Sequence, residues 1–190
     1  MHDIKPLLAA ALLLGAASLQ AQPKPAQLLA AQSELGFTSR QMGVPVEGRF
    51  KRFEAQIVFD PRKPETGSVA FSIAIGSATL GAPEFDAELS KPDWFDSKKF
   101  PQATFKSSVI KASGAGKFEV SGTLDIKGQT RRVVVPVLIT QTGGVSTASG
   151  AFVIKRLEFK IGDGEWSDTS MVANDVTVKF KLALSGLAQL

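Results

Sequence analysis

The chain has 190 residues and a mass of 20.2 kDa, with 44% hydrophobic and 21% charged residues and a formal net charge of +4. This is the composition of one ordinary globular domain, neither disordered nor membrane-spanning. There is no Cys, and the one His is His2; disulfides, thiol chemistry and Cys-ligated metals are excluded, and with the N-terminus removed every imidazole role is excluded too.

At the N-terminus, Lys5 precedes the apolar run Leu7–Ala17, LLAAALLLGAA. The run is too short for a membrane helix, which needs about 20 residues, and suits a signal-peptide core of about 7–15. Small residues follow, with Ala21 as the expected last residue before cleavage and Ala17 or Ser18 as other positions. The reading is an export signal over 1–21 and one mature domain over 22–190. No Cys follows the run, so no lipoprotein anchor is expected.

The mature chain reads as strands. In chain order they are expected at Ser33–Met42, Val46–Asp60, Ser68–Ile75, Ala103–Lys111, Lys117–Lys127, Thr130–Gln141, Val145–Ile154 and Asp175–Leu184. The clearest is KFEVSGTLDIK, where Phe118, Val120, Leu124 and Ile126 fall on one face and Lys117, Glu119, Thr123 and Asp125 on the other. Strict period-2 alternation marks a half-buried antiparallel strand. The last strand repeats it with Val176, Val178, Phe180, Leu182 and Leu184. Gly-containing turns at 113–116, 127–129 and 142–144 read as compact hairpins. Pro136 interrupts an otherwise strong strand and predicts a bulge, an edge or a corner there. Pro83–Ser90 is the one good helix, with Pro in its first turn and acids early. It sits in a long strand-free excursion whose core is 83–96. Eight mostly antiparallel strands with one helical excursion predict an all-β closed barrel or a sandwich, and an eight-stranded barrel is wide enough to hold one small ligand. A membrane barrel would need aromatic girdles, and the chain has no Tyr and two Trp.

The chemistry-bearing side chains are sparse. Glu84, Asp86, Glu88, Asp93 and Asp96 form one acidic group, and Asp163, Glu165, Asp168 and Asp175 another. The first reads as a solvated helix face with turn caps, since Glu84 and Glu88 are like charges at i,i+4 that solvent screens; the second reads as a turn, since Gly162-Asp163-Gly164-Glu165 lacks the oxygen-ligand spacing of an EF-hand. No nucleophile has a base partner, so neither catalysis nor a cofactor or metal is expected. No basic tract is dense enough for nucleic acid. The 13 Phe residues instead offer apolar surface without polar handles.

The motifs Ser33-Glu34-Leu35-Gly36-Phe37, Met42 to Phe53, Ile57-Val58-Phe59-Asp60-Pro61, Glu88-Leu89-Ser90 through Asp93-Trp94-Phe95-Asp96, Phe100-Pro101-Gln102-Ala103-Thr104-Phe105, Gly122 to Thr130, Phe152 to Arg156 and Asp175-Val176-Thr177-Val178 follow in order along the mature chain. Together they resemble the YceI family of periplasmic polyisoprenoid-binding, lipocalin-like proteins. Many relatives carry a His where Glu88 stands here, so no role of that His transfers.

The resemblance implies an all-β, eight-stranded antiparallel lipocalin-like barrel, and a non-enzymatic periplasmic carrier that holds a polyisoprenoid or isoprenoid quinone in its tunnel. The inward faces of the cleanest strands nominate Phe53, Ile57, Phe71, Ile73, Phe105, Phe118, Val120, Leu124, Phe152, Val178 and Phe180 as its lining. Gly164-Glu165-Trp166-Ser167-Asp168 resembles a branch of the family found beside di-haem membrane cytochromes. That suggests an alternative, an accessory protein for a membrane b-type cytochrome with the barrel as scaffold. A homodimer is a further partner compatible with either reading.

Overall fold

The computed structural model describes residues 24–190, so the export segment expected over 1–21 lies outside the described residues. The strands are β1 (Gln27–Leu28), β2 (Glu34–Gln41), β3 (Val44–Phe50), β4 (Phe53–Val58), β5 (Ser68–Ala74), β6 (Ala78–Thr79), β7 (Gln102–Gly114), β8 (Lys117–Ile126), β9 (Gln129–Thr142), β10 (Val145–Lys155) and β11 (Asp175–Ser185), with helix α1 at Pro83–Leu89. They form one sheet in the order β4-β5-β7-β8-β9-β10-β11-β2-β3-β6, with β1 paired to β11. Every pairing is antiparallel. The sheet curls strongly into a lipocalin-like barrel that is not sealed along its whole length.

The strand count exceeds the expected eight for three local reasons. The segment expected as one strand over Val46–Asp60 breaks at Lys51–Arg52 into β3 and β4. The backbone N–H groups of Lys51 and Arg52 leave the ladder and donate to the carbonyl and hydroxyl of Ser77. The two-residue β6 extends the β3 edge at Arg49 and Phe50. β1 pairs with β11, while the neighbouring Ala26 bridges Ile57 of β4. β1 thus ties the two sides of the sheet at one end. Elsewhere β3 and β4, consecutive in the chain, lie toward opposite ends of the pairing order.

Curvature comes from close backbone approaches. A Cβ on Gly150 would lie 2.1 Å from the Pro136 carbonyl oxygen, and one on Gly122 would lie 2.4 Å from that of Lys106. Only glycine fits at such crossings. The β9–β10 ladder runs from Thr142/Val145 to Leu138/Ser149 and stops short of Pro136. Pro136 therefore stands at the corner where β10 leaves β9, where its missing N–H removes no ladder bond to β10.

The interior holds two buried clusters. One contains Ile73, Leu89, Trp94, Phe95, Leu124, Phe159, Ile161 and Val172. The other contains Ala26, Ile57, Phe59, Ile110, Phe118, Val120, Ile139 and Leu184. Phe53, Phe71, Phe105, Val133 and Phe152 pack against both. Trp94 and Phe95 come from the excursion after α1, and Phe159, Ile161 and Val172 from the irregular segment between β10 and β11. These two irregular segments cover the same end of the barrel. Asp86 holds α1 to β6, accepting from the Thr79 hydroxyl at 2.6 Å and the Leu80 N–H at 2.7 Å. The Thr79 bond, followed by the Leu80 N–H, lowers the Asp86 carboxyl below its ordinary value.

Candidate functional site

Between and through the two clusters runs a narrow cavity of about 230 Å³. Along β11 every inward residue from Val176 to Leu184 lines it. At about 3.3 Å per residue that wall extends roughly 26 Å along the strand. The shape is a tunnel rather than a compact pocket. Its wall is made of Phe, Leu, Ile, Val and Ala side chains, and the polar exceptions are Ser39, the indole of Trp94 and Arg156.

Ten of the eleven residues nominated from the sequence line this tunnel: Ile57, Phe71, Ile73, Phe105, Phe118, Val120, Leu124, Phe152, Val178 and Phe180. They are brought together because their strands keep the period-2 alternation and antiparallel register, as in Phe71 opposite Phe105 and Phe105 opposite Leu124. Phe53 departs from the set. It packs against both clusters but lines a wider outer groove of about 1430 Å³ instead. This groove lies where β3 and β4 fail to pair. It carries outward residues such as Arg49, Glu54 and Lys179 beside Leu35, Phe37, Phe50 and Phe180, which also line the tunnel.

Sequence reasoning missed several lining residues. Ile110 is 2% exposed, whereas Val109 is 44% exposed. A bulge between Ser107 and Val109 inverts the alternation midway along β7. The Ser107 hydroxyl accepts the Val69 N–H at 2.8 Å beside that bulge. Phe37 and Phe50 stack at 5.5 Å between ring centroids, and Phe50 meets Phe95 edge-on at 6.1 Å. Phe37 followed the alternation of its strand and could have been nominated. Trp94 and Phe95 lie in a non-periodic segment and carried no such signal.

The covered end of the tunnel holds a polar knot. Arg156 is 1% exposed. Its Nε donates to the Ala173 carbonyl, Nη1 to those of Ile161 and Gly162, and Nη2 to those of Trp166 and Val172, at 2.7–3.1 Å. All five guanidinium N–H groups are therefore occupied. Burial pushes the guanidinium below its ordinary pKa, with Asp163 pulling the other way. Nearby, Lys127 Nζ donates to the carbonyls of Pro92 and Lys160 at 2.6 Å each, linking the two covering segments. Its pKa is also lowered, by burial first. Trp94 and Trp166 pack at 5.5 Å.

Among the described residues no group of three or more His, Asp or Glu side chains could hold a metal ion. The tunnel wall presents no carboxylate and no imidazole, and its one hydroxyl is that of Ser39. What the arrangement can do chemically is enclose an extended apolar chain.

Residues 27–184 match the family model described as a YceI-like domain. A UPF0312 protein of Photorhabdus laumondii is 30% identical over 163 residues, 81% of this chain and 84% of its own. The crystal structure of Burkholderia cenocepacia BcnA superposes with a TM-score of 0.81 at 44% identity, covering 83% of this chain and 99% of that one. A polyisoprenoid binding domain from Saccharophagus degradans, implicated in plant cell wall breakdown, superposes with a TM-score of 0.69 at 17% identity, over 84% of this chain and 97% of that one. At that identity the last likeness concerns the fold.

Proposed function

The chain belongs to the YceI-like domain family, and from that premise we propose that it is a non-catalytic periplasmic carrier for a polyisoprenoid or isoprenoid-quinone lipid. The observation that carries this reading is the long, almost wholly apolar tunnel. Such a wall offers no directional bonds to small polar substrates. It rewards a chain of methyl and methylene groups, each worth about 0.8 kcal/mol on burial before the costs of association and ordering. A linear prenyl chain suits an apolar wall that runs along β11 from Val176 to Leu184. The Saccharophagus degradans domain of similar fold is a polyisoprenoid binding domain, which is in keeping with this ligand class.

The reading is tested by loading. Protein stripped of lipid by organic solvent and refolded is expected to co-elute with an all-trans polyprenol on size exclusion, at about one prenol per chain. A protein peak that leaves the prenol behind contradicts it.

Export is part of the proposal. The mature protein recovered from the periplasmic fraction of its host is expected to begin near Gln22. Intact Met1 on the soluble periplasmic protein contradicts export through residues 1–21. The alternative of a scaffold for a membrane b-type cytochrome gains no support from the described residues.

A further inference from the structure

The outer groove lies where β3 and β4 part. On that side β3 has a neighbour only at Arg49 and Phe50, which pair with β6. Leu35, Phe37, Phe50 and Phe180 line both the groove and the tunnel. An apolar path therefore runs from the groove through the side of the barrel.

The rim of the groove is cationic. Arg49, Lys51, Arg52, Lys179 and Lys181 line it, and all five are exposed. The ion pairs among the described residues involve Arg62, Lys91, Arg131 and Lys155, and none of these five. Glu34, Glu47 and Glu54 line the same groove, which leaves cations in excess. Two of the cations are placed to share an anion. The register sets Lys179, Gly36 and Arg49 in one row across β11, β2 and β3, so the two flank a residue without a side chain. A Cβ on Gly36 would meet only the Gly48 carbonyl oxygen, at 3.1 Å. No side chain covers this notch. Two strand spacings, roughly 10 Å between backbones, let both long side chains reach one phosphate between them.

We propose that this seam is a side doorway that docks on an anionic membrane surface, with its cations on lipid phosphates. This rests on the carrier reading and extends it to the step before binding, the collection of lipid from a bilayer. A prenyl tail leaving the membrane crosses from the groove into the tunnel past Phe37 and Phe50, without passing through water. A membrane suits this rim better than one soluble phosphate does, because the cations are spread over β3, the break after it and β11. Near an anionic bilayer each Lys or Arg multiplies partitioning by about fivefold, and salt screens the attraction.

The test uses the delipidated mature chain and two kinds of vesicle, phosphatidylcholine alone and equal parts of phosphatidylcholine and phosphatidylglycerol. At low salt, wild type is expected to sediment with the anionic vesicles at least about tenfold more strongly, and to lose most of that preference in about 0.5 M salt. Arg49→Gln combined with Lys179→Gln is expected to cut this partitioning by about tenfold or more and to slow uptake of polyprenol from anionic vesicles in step. Neither residue lines the tunnel, so affinity for polyprenol offered without vesicles is expected to stay within about twofold. Lys111→Gln combined with Lys117→Gln removes the same charge outside the groove and is expected to change partitioning by no more than about twofold. The chain has no Cys, so one environment-sensitive fluorophore is attached through Ser72→Cys in the groove or Lys117→Cys outside it. Only the first is expected to shift to the blue on anionic vesicles. Equal sedimentation with both vesicles, equal losses in the two double variants, or a blue shift at position 117 with none at 72 would each overturn the docking face and leave the carrier reading standing. Docking on anionic vesicles with no uptake of polyprenol from any source would overturn the carrier reading and the doorway with it.

Discussion

Arg156→Leu is expected to lower the unfolding free energy by about 4 kcal/mol, because it orphans five backbone carbonyls in one step. Those of Ile161, Gly162, Trp166, Val172 and Ala173 all accept from this one guanidinium. An acceptor left buried without a partner costs about 1–3 kcal/mol, and part of that is recovered as the loosened loop meets water. Relief of the guanidinium's own desolvation works in the opposite direction. It does not win here, because the partners are fixed main-chain groups that an apolar side chain cannot satisfy. For a chain of this size, about 4 kcal/mol corresponds to a fall in Tm of roughly 8–16 °C. Arg156→Lys is expected to fall between the two, since three donors on one nitrogen cannot span five carbonyls set around a planar fork. Urea unfolding followed by circular dichroism measures all three. A wild-type midpoint for Arg156→Leu would show that the knot contributes nothing. The effect reaches the tunnel as well, since the knotted segment supplies Ile161 and Val172 to its covered end.

Val120→Asp is expected to weaken polyprenol binding by at least about 100-fold, while Glu119→Ala, one residue away, is expected to leave it within about twofold. Val120 is 7% exposed and lines the tunnel. Glu119 is exposed on the outer face, opposite Lys111 on one side and Pro136 on the other. A carboxylate at position 120 would meet a hydrocarbon tail without water or a partner. That costs several kcal/mol unless the group takes up a proton, and about 1.4 kcal/mol is a factor of ten in affinity. The same burial raises the pKa of the introduced carboxyl. Binding by Val120→Asp is therefore expected to recover in part as pH falls and the neutral acid forms. Titration of a fluorescent prenol analogue at two pH values checks both statements. Loss of binding in Glu119→Ala with none in Val120→Asp would mean that the tunnel faces the other side of β8.

The tunnel was legible where strands are regular. β8 and β11 alternate without interruption, and their inward residues line the cavity as the period-2 rule places them. Three kinds of feature escaped for physical reasons. The bulge in β7 shifts the inward position from Val109 to Ile110, and nothing local in the sequence announces an extra residue. The break at Lys51–Arg52 is stabilised by Ser77, 25 residues away along the chain. A contact so distant leaves no periodic trace, and it moves Phe53 out of the tunnel wall and into the outer groove. The covered end is built by irregular segments held through Arg156 and Lys127. Their side chains serve main-chain carbonyls, a role that a sequence of surface-like charged residues conceals. Glycine was more informative in three dimensions than as a turn signal, since Gly122 and Gly150 lie inside strands where a side chain would strike a neighbouring backbone.

The most direct measurement is native mass spectrometry of the mature protein purified from its own host's envelope without detergent, followed by organic extraction of the same sample. The carrier account predicts a main species heavier than the polypeptide by one lipid, lost on activation. It also predicts that the extract contains a linear isoprenoid. A spectrum of bare polypeptide at every activation energy, with no isoprenoid in the extract, would contradict it.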